Sequence, residues 1–539
     1  MERYTYILKK MQEQKHFYIV YIRLFPKKSY LKSILQNLVR KIYLALHIKG
    51  IFDFERLLGT AEPITVDDAI TIERGINLNL LSHIQALQPE KDYKTNDIDI
   101  SNLFAELYRN QIRFNATSND WYYFNGKVWI KDSRGMYASS IIEEFVKTML
   151  TYSMDIDNEH LIDFFIKSLN TSRRETLLKD SKNAMFISQI EFDKNKNLFN
   201  VQNGTLNVKT FQFTSHNGAD LLSSIANTEY NSNSICERWE QFIDEVMEGN
   251  EAKKNYLQKW CGYALTTDTS IEQCLILYGK STRNGKGTLM ETVLNLMGDY
   301  AKTASADTIA KKAQKDSRNA SSDIARLKNC RMLNVSEPEK KLQLDNALVK
   351  NMVGRDTLTC RGLYQEEIEF TPIFKFFMNC NYLPNITDNT VFESERINVL
   401  EFNKHFNREN QDGTLKDKFK EPENMKGIFN WCLDGLKKYY EEGLIPPEEV
   451  KQATEEYARS SDRLMIFFEE ELIKSDKNIT CADAYRRYED WCRRNGGFAD
   501  GRHSFIEELK RRNLYKPTGT VNGMTCRNVI GGYEFKPFY

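Results

Sequence analysis

Apolar residues recur at helical spacing at Leu31, Ile34, Leu35, Leu38, Ile42 and Leu46, so the first stretch reads as an amphipathic helix packed on the rest of the protein. From about residue 98 the pattern changes to short strands. Trp121–Trp129 (WYYFNGKVW) predicts an aromatic hairpin turning at Asn125-Gly126, and Leu198–Val208 repeats that logic with Asn203-Gly204 as the turn. The aromatic rings there either fill a small core or stack on bases. Residues 237–266 return to a helical period through Trp239, Phe242, Ile243, Val246 and Met247, then Tyr256, Leu257 and Trp260. Strand–helix alternation from Ile271 to about Tyr440 is the mark of an α/β layer. Helices follow at 463–472, 481–495 and 503–512. A terminal strand pair with turns at 519–523 and 531–532 then completes a winged-helix pattern. The expected organisation is multidomain, α/β plus α+β. It comprises a region without an assigned role (1–97), an accessory α+β domain (98–235), a helical collar (236–268), an α/β core (269–445) and a C-terminal winged helix (446–539).

Composition narrows the function classes. The chain has 539 residues, 41% of them hydrophobic and 12% aromatic, enough for several buried cores. Its 75 basic residues balance 75 acidic ones, which excludes nucleic-acid binding by bulk charge but leaves room for a local basic site. The ten cysteines are scattered without a CxxC pair, which argues against zinc modules and disulfide frameworks and points to free thiols in a reducing cytoplasm. The best apolar run, Phe17–Phe25, carries Arg23 and falls short of a bilayer span, so no membrane partner is expected.

The chemistry concentrates in Gln273–Met290 (QCLILYGKSTRNGKGTLM). An apolar strand, a glycine-punctuated loop and a helix are the context in which a Gly-Lys pair becomes a phosphate loop. Backbone N–H groups and the helix N-terminus favour phosphate there. Gly279, Asn284, Gly285, Lys286, Gly287 and Thr288 are the nucleotide-binding candidates. The spacing between Gly279 and Gly285 is one residue longer than usual. Gly287 stands where a magnesium-binding Ser or Thr is customary, which leaves Thr288 to serve.

Hydrolysis needs further groups. Met332–Val335 forms a strand with Glu337 just beyond it, placed to bind Mg2+ or polarise water. Ile373–Cys380 forms another, ending at Asn381, which is either a polar sensor of the γ-phosphate or a turn former before Pro384. Arg396 opens the strand Ile397–Phe402 and is either an arginine finger for a neighbouring subunit or a partner of Glu393. Between these strands, 357–359 and 367–370 pair around Arg361, Gly362 and Tyr364, a cation and an aromatic at a hairpin tip.

The ordered segments LYGKSTRNGKGT, NVSEPEKK, LVKNMVGRDTLTCRGLY, FFMNCNYLPNITD and ESERINVLEF resemble the superfamily 3 helicases, a branch of the AAA+ ATPases. The closer likeness is to the phage, plasmid and poxvirus primase-helicase family and to mobile-element replication proteins. The resemblance covers about residues 98–539. It implies an AAA+ P-loop core in a homo-oligomeric, usually hexameric ring that uses ATP and Mg2+ to move 3′→5′ along single-stranded DNA. It implies Lys286 and Thr288 on phosphates and metal, Glu337 as the acidic metal and water residue, Asn381 as sensor and Arg396 as finger. It places Lys350 and Arg361 in the DNA-tracking motif, and it makes the winged helix a unit for origin DNA. The local excess of Arg and Lys after Ala484, with Arg493, Arg494, Arg511 and Arg512 as DNA candidates, agrees with that. Primase activity is not expected, because 1–97 is too short for the extra catalytic domain and offers only the adjacent Asp67 and Asp68. The expected function is replication of a phage, plasmid or genomic island. An ATP-switched origin-binding initiator without processive unwinding is the alternative, and a P-loop phosphotransferase is a third reading.

Overall fold

The computed structural model describes residues 76–188, 191–311, 322–336, 342–361, 367–386, 390–495 and 499–537. The expected helix at 31–46, the run Phe17–Phe25, the pair Asp67 and Asp68, the acid Glu337 and the hairpin tip with Gly362 and Tyr364 lie outside these residues.

The described chain begins α1 (Leu78–Leu87), α2 (Asp97–Tyr108), β1 (Ile112–Asn115), β2 (Asp120–Phe124) and β3 (Trp129–Asp132). It continues α3 (Met136–Asp155), α4 (Glu159–Ser168), α5 (Thr171–Met185) and β4 (Phe186–Ile187). Contacts divide the described residues into two units, 76–95 with 142–174, and those of 96–141 with those from 175 onward. In the first, Phe145 and Phe165 meet edge to face at 6.1 Å, and the Asn77 amide donates to Glu144 Oε1 at 3.0 Å.

In the second unit, β2 and β3 form the expected aromatic hairpin, with Phe124 opposite Trp129. Its connection is four residues long, because Asn125 Oδ1 accepts from the N–H groups of Lys127 and Val128, both at 2.9 Å. β5 (Leu198–Val201) and β6 (Gly204–Asn207) form the other hairpin. Val201 pairs with Gly204, so the turn is Gln202-Asn203, one residue earlier than expected. Strand β7 (Phe213–Thr214) pairs on the outside of β6. Trp121, Trp129 and Phe199 are buried, so these rings fill cores.

The collar is α6 (Glu237–Val246) and α7 (Glu251–Tyr263). Trp239, Phe242, Ile243 and Val246 lie on one face of α6 and are all buried. The core sheet comprises β8 (Cys274–Tyr278), β9 (Ala301–Ser305), β10 (Met332–Ser336), β13 (Lys375–Cys380) and β14 (Ile397–Glu401). The order is β14-β8-β13-β10-β9, and every pairing is parallel. Helix α8 (Lys286–Met297) carries the chain from β8 to the far edge at β9. The chain then works back through β10 and β13 and passes over β8 to β14. The order therefore reverses at β8, and in open α/β sheets ligands bind beyond the carboxyl ends of strands at such a switch point. A helix α9 (Asn346–Val353) and the hairpin β11 (Leu358–Arg361) with β12 (Glu367–Phe370) lie between β10 and β13 in sequence, as expected.

Two cations lock the amino ends of these strands to the elements before them. Arg331 is buried over Tyr300, donates to Leu265 O at 2.6 Å and also reaches Leu198 O. Lys375 donates to Thr266 O at 2.6 Å. Burial lowers the pKa of both. Helix α10 (Pro422–Glu442) crosses α7 through facing glycines. A Cβ on Gly262 would stand 2.1 Å from Leu436 N, and one on Gly435 2.0 Å from Gln258 O, so only glycine permits this approach.

Helix α11 (Glu448–Ser461) leads to α12 (Arg463–Glu471), β15 (Leu472–Thr480), α13 (Cys481–Arg494), α14 (Arg502–Arg511), β16 (Tyr515–Val521) and β17 (Met524–Phe535). These strands form a sheet in the order β15-β17-β16. The β16–β17 turn is Asn522-Gly523, since Val521 pairs with Met524. Gly531 and Gly532 lie inside β17, opposite a register shift in β15, and are not a turn. All ten cysteines are free, nine of them buried. Among the described residues no helix is long and apolar enough to cross a membrane.

Candidate functional site

Strand β8 is buried from Cys274 to Leu277 and delivers the chain to Gly279 at the carboxyl end of the sheet. The loop that follows closes on Gly285, which caps α8 at φ +86°. A Cβ there would stand 2.3 Å from Val246 Cγ1 on the collar helix, so conformation and space both require glycine. The result is a loop pressed between α6 and the first turn of α8, with that helix's N–H groups directed outward. Asn284 is buried and holds the loop's shape by donating to Ser281 O at 2.6 Å.

Lys286, the first residue of α8, is only 3% exposed. Its ammonium donates to Gly279 O at 3.2 Å and to Asn381 Oδ1 at 3.0 Å. Asn381 follows directly on β13, the strand hydrogen-bonded beside β8. The two residues, 95 positions apart in sequence, are thus joined at the switch point. Desolvation pulls the Lys286 pKa from 10.5 to about 8. The same burial pushes the neighbouring Cys380 thiol up to about 12. A buried ammonium whose charge is disfavoured by desolvation, beside the N-terminal N–H groups of a helix, suits a ligand that brings its own negative charge.

Thr288 is half-buried in the first turn of α8, where its hydroxyl suits a hard cation held mainly by phosphate oxygens. Gly287 is exposed with nothing within 4 Å of a Cβ, so sterics do not dictate the missing Ser or Thr. Among the described residues no cluster of three His, Cys, Asp or Glu could hold a metal.

Arg396 lies at the other end of the sheet. Its carbonyl accepts the N–H of Cys274, the first residue of β8, at 2.8 Å. At about 3.3 Å per residue, β8 puts roughly 13 Å between that point and the loop. The guanidinium pairs with Glu272 at 3.0 Å and donates to Lys350 O at 3.0 Å. The Glu393 pairing suggested by sequence is not formed, because Glu393 holds Arg511 instead.

The DNA candidates are dispersed. The Lys350 ammonium sits on Thr390 Oγ1. Arg361 ends β11, exposed and in register with Glu367. Arg493 pairs with Asp490 at 3.0 Å, and Arg494 with Glu471 at 2.6 Å. Arg511 joins Glu508 and Glu393, while Arg512 joins Asp462 and Glu508, both at 2.6 Å. These contacts give the C-terminal arginines intramolecular partners.

Sequence reasoning missed the strap that follows β14. Phe402 O lies 2.7 Å from where a Gly279 Cβ would be, Phe406 N donates to Arg283 O at 2.8 Å, and His405 Nδ1 meets Thr282 O at 2.9 Å. These are mostly main-chain contacts, for which side-chain patterns carry no signal.

A family described as D5 N terminal like matches residues 101–248, and a family of unknown function (DUF5906) matches 277–396. The chain is 25% identical over 439 residues to "Putative helicase L207/L206" of Acanthamoeba polyphaga mimivirus, covering 74% of this chain and 45% of that protein. It is 27% identical over 243 residues to "Putative helicase 022R" of Frog virus 3 (isolate Goorha), covering 41% and 24%. The chain thus spans about half, or less, of the length of these relatives. The apo structure of the NrS-1 C-terminal region aligns over 80% of this chain and 98% of its own, with a TM-score of 0.45 and 12% identity.

Proposed function

The chain fits a phage and viral primase-helicase family, and from that premise we propose that it is an ATP-dependent DNA helicase built on an AAA+ core. The observation that carries the reading is the Lys286–Asn381 bond at the switch point of a five-stranded parallel sheet. It joins a phosphate-binding lysine to a polar side chain from the adjacent strand, where both can meet a γ-phosphate.

In this reading the phosphates of ATP lie across the N-terminus of α8. Lys286 neutralises their charge, and Asn381 fixes the γ-phosphate. Thr288 and Glu337 would hold Mg2+, which supplies charge neutralisation at the transferring phosphate. Arg396, one strand-length from its own loop, serves the site of a neighbouring copy in a ring, with six copies as the expected number. The hairpin bearing Arg361 tracks single-stranded DNA with 3′→5′ polarity. The unit from Arg463 onward is a winged helix that engages origin DNA during replication of a mobile element.

The test is an ATPase and forked-DNA assay alongside the native mass. Separation of a 3′-tailed fork by wild type, lost in Lys286→Ala at unchanged native mass, is the expected result. Undiminished turnover in Lys286→Ala would remove the phosphate-loop assignment. Hydrolysis indifferent to single-stranded DNA, with forks left intact, would favour the ATP-switched initiator.

A further inference from the structure

Helix α11 packs against the edge of the core sheet at β14. Thr454 Oγ1 accepts the N–H of Val399 on that edge strand at 2.9 Å, and Val450 and Tyr457 form the buried face of the helix. Tyr457 is 3% exposed, and its ring meets Phe392 edge to face at 5.1 Å. Its hydroxyl donates to Pro384 O at 2.5 Å, 73 positions away in sequence. Pro384 belongs to the bend that begins at Asn381, directly after β13. The other side of this bend is tied to the chain that follows β10. There Asn385 N donates to Leu342 O at 2.8 Å, and Leu344 N donates to Asn385 O at 3.1 Å. Burial raises the Tyr457 pKa well above its ordinary value, and the Cys380 thiol adds to the shift, so the hydroxyl keeps its proton for this bond.

We propose that Tyr457 is a positioning residue of the nucleotide site: through the Pro384 carbonyl it holds Asn381 where that amide meets the γ-phosphate. The proposal rests on the phosphate-loop and sensor reading above. The Asn381 side chain is already aimed at the loop, since its Oδ1 accepts from the Lys286 ammonium at 3.0 Å. Its main chain has left the sheet at Cys380 and depends on the bend for its place. That bend is stiff. Proline fixes its own φ and restricts Leu383 before it, so a displacement of the Pro384 carbonyl passes back toward Asn381 rather than being absorbed. Leu383 and Ile386 pack in the same apolar cluster as Tyr457, and the hydroxyl adds a directional bond to that packing. Direction matters here, because a misplacement of about 1 Å at a reacting centre costs on the order of 100-fold in rate. A buried phenol needs an acceptor whatever its role. The acceptor it has found lies in the bend that carries Asn381, on the strand hydrogen-bonded beside β8.

The experiment compares wild type, Tyr457→Phe, Asn381→Ala and the double variant as full chains. Thr454→Val, which removes another hydroxyl from the same helix, is the control. Steady-state ATP turnover gives kcat and KM. Titration calorimetry gives affinities for the β,γ-imido analogue of ATP and for ADP, each with magnesium. Tyr457→Phe should lower kcat by about tenfold and weaken the triphosphate analogue while ADP binds as in wild type, since only the γ-phosphate meets Asn381. The double variant should be no slower than Asn381→Ala, because the tyrosine acts through that residue. Thr454→Val should lose stability in urea and keep the wild-type kcat. Losses that multiply in the double variant overturn the inference. So does a Tyr457→Phe protein with wild-type kcat and affinities, which leaves the bond as the satisfaction of a buried phenol. An equal loss for ADP, or an equal fall of kcat in Thr454→Val, also overturns it and assigns the effect to packing. Failure of the parent reading looks different. A wild type that turns over no ATP removes the phosphate loop, and Asn381→Ala at the wild-type rate removes the sensor; either result takes the inference with it.

Discussion

On the proposed reading, in which the loop grips a nucleotide, the depressed pKa of Lys286 makes that binding proton-linked. Its ammonium is buried among Gly279 O and Asn381 Oδ1, neither of which carries a charge, and desolvation brings its pKa to about 8. A triphosphate brings several negative charges into contact with it and restores the charged form. Above pH 8 the nucleotide has no proton left to give, since the second ionisation of a phosphate group lies near 6. The proton must therefore come from solvent. With a free-state pKa of about 8 and a bound-state value well above it, uptake is about 0.1 proton at pH 7, about 0.5 at pH 8 and about 0.9 at pH 9. Affinity correspondingly falls about tenfold per pH unit once pH exceeds 8, approaching 1.4 kcal/mol per unit. The sign is fixed: binding weakens as pH rises because charging the lysine costs progressively more. Calorimetry in paired buffers of different ionisation enthalpy measures the uptake directly. Lys286→Met should abolish its pH dependence along with most of the affinity. No proton uptake from pH 7 to 9 in wild type, with an unvarying dissociation constant, would refute the argument.

Three further outcomes follow from the geometry. Gly287→Ala should raise stability by about 0.5–1 kcal/mol in urea unfolding, because the exposed helical position has nothing within 4 Å of the added carbon. Arg512→Ala should cost about 1–3 kcal/mol in stability, because it strips the partner from Asp462, which also caps α12 by accepting from Met465 N. A melting temperature equal to wild type would show that the pair contributes nothing. Arg396→Ala should abolish turnover alone and be partly rescued when mixed with Lys286→Ala; absence of rescue at every ratio would count against action in trans.

The strand, glycine-capped loop and helix around Lys286 were legible because their physics is local. A buried parallel strand must be a continuous apolar run, and a tight loop before a helix must carry glycine, so Cys274–Leu277 and Gly285 announce themselves. The collar face of α6 was legible for the same reason. The turns were not: Asn-Gly marks where the chain bends, but Asn125 side-chain acceptance widened one loop and the Val201–Gly204 pairing moved the other by a residue. Gly531 and Gly532 illustrate the reverse error, since glycine inside a strand accommodates a register shift as readily as it makes a turn.

Ion pairing was the part that sequence concealed. Local charge density at the C-terminus is real, yet it does not reveal that Arg494 and Arg487 share Glu471, or that Arg512 spans Asp462 and Glu508. A carboxylate 23 positions away in sequence is invisible to a count of basic residues. The same blindness exchanged the partners of Arg396: Glu393 is nearer in sequence, but Glu272 stands beside the first residue of β8, where the backbone of Arg396 is bonded. That attachment has a consequence. The main chain at Arg396 is locked to the sheet through Cys274, so only its side chain can move, and that side chain is held by a carboxylate and a helix-end carbonyl. Any anion that draws the guanidinium outward must replace both contacts. A triphosphate has the charge to do so, whereas a single exposed carboxylate, worth about 0–1 kcal/mol as a surface partner, does not.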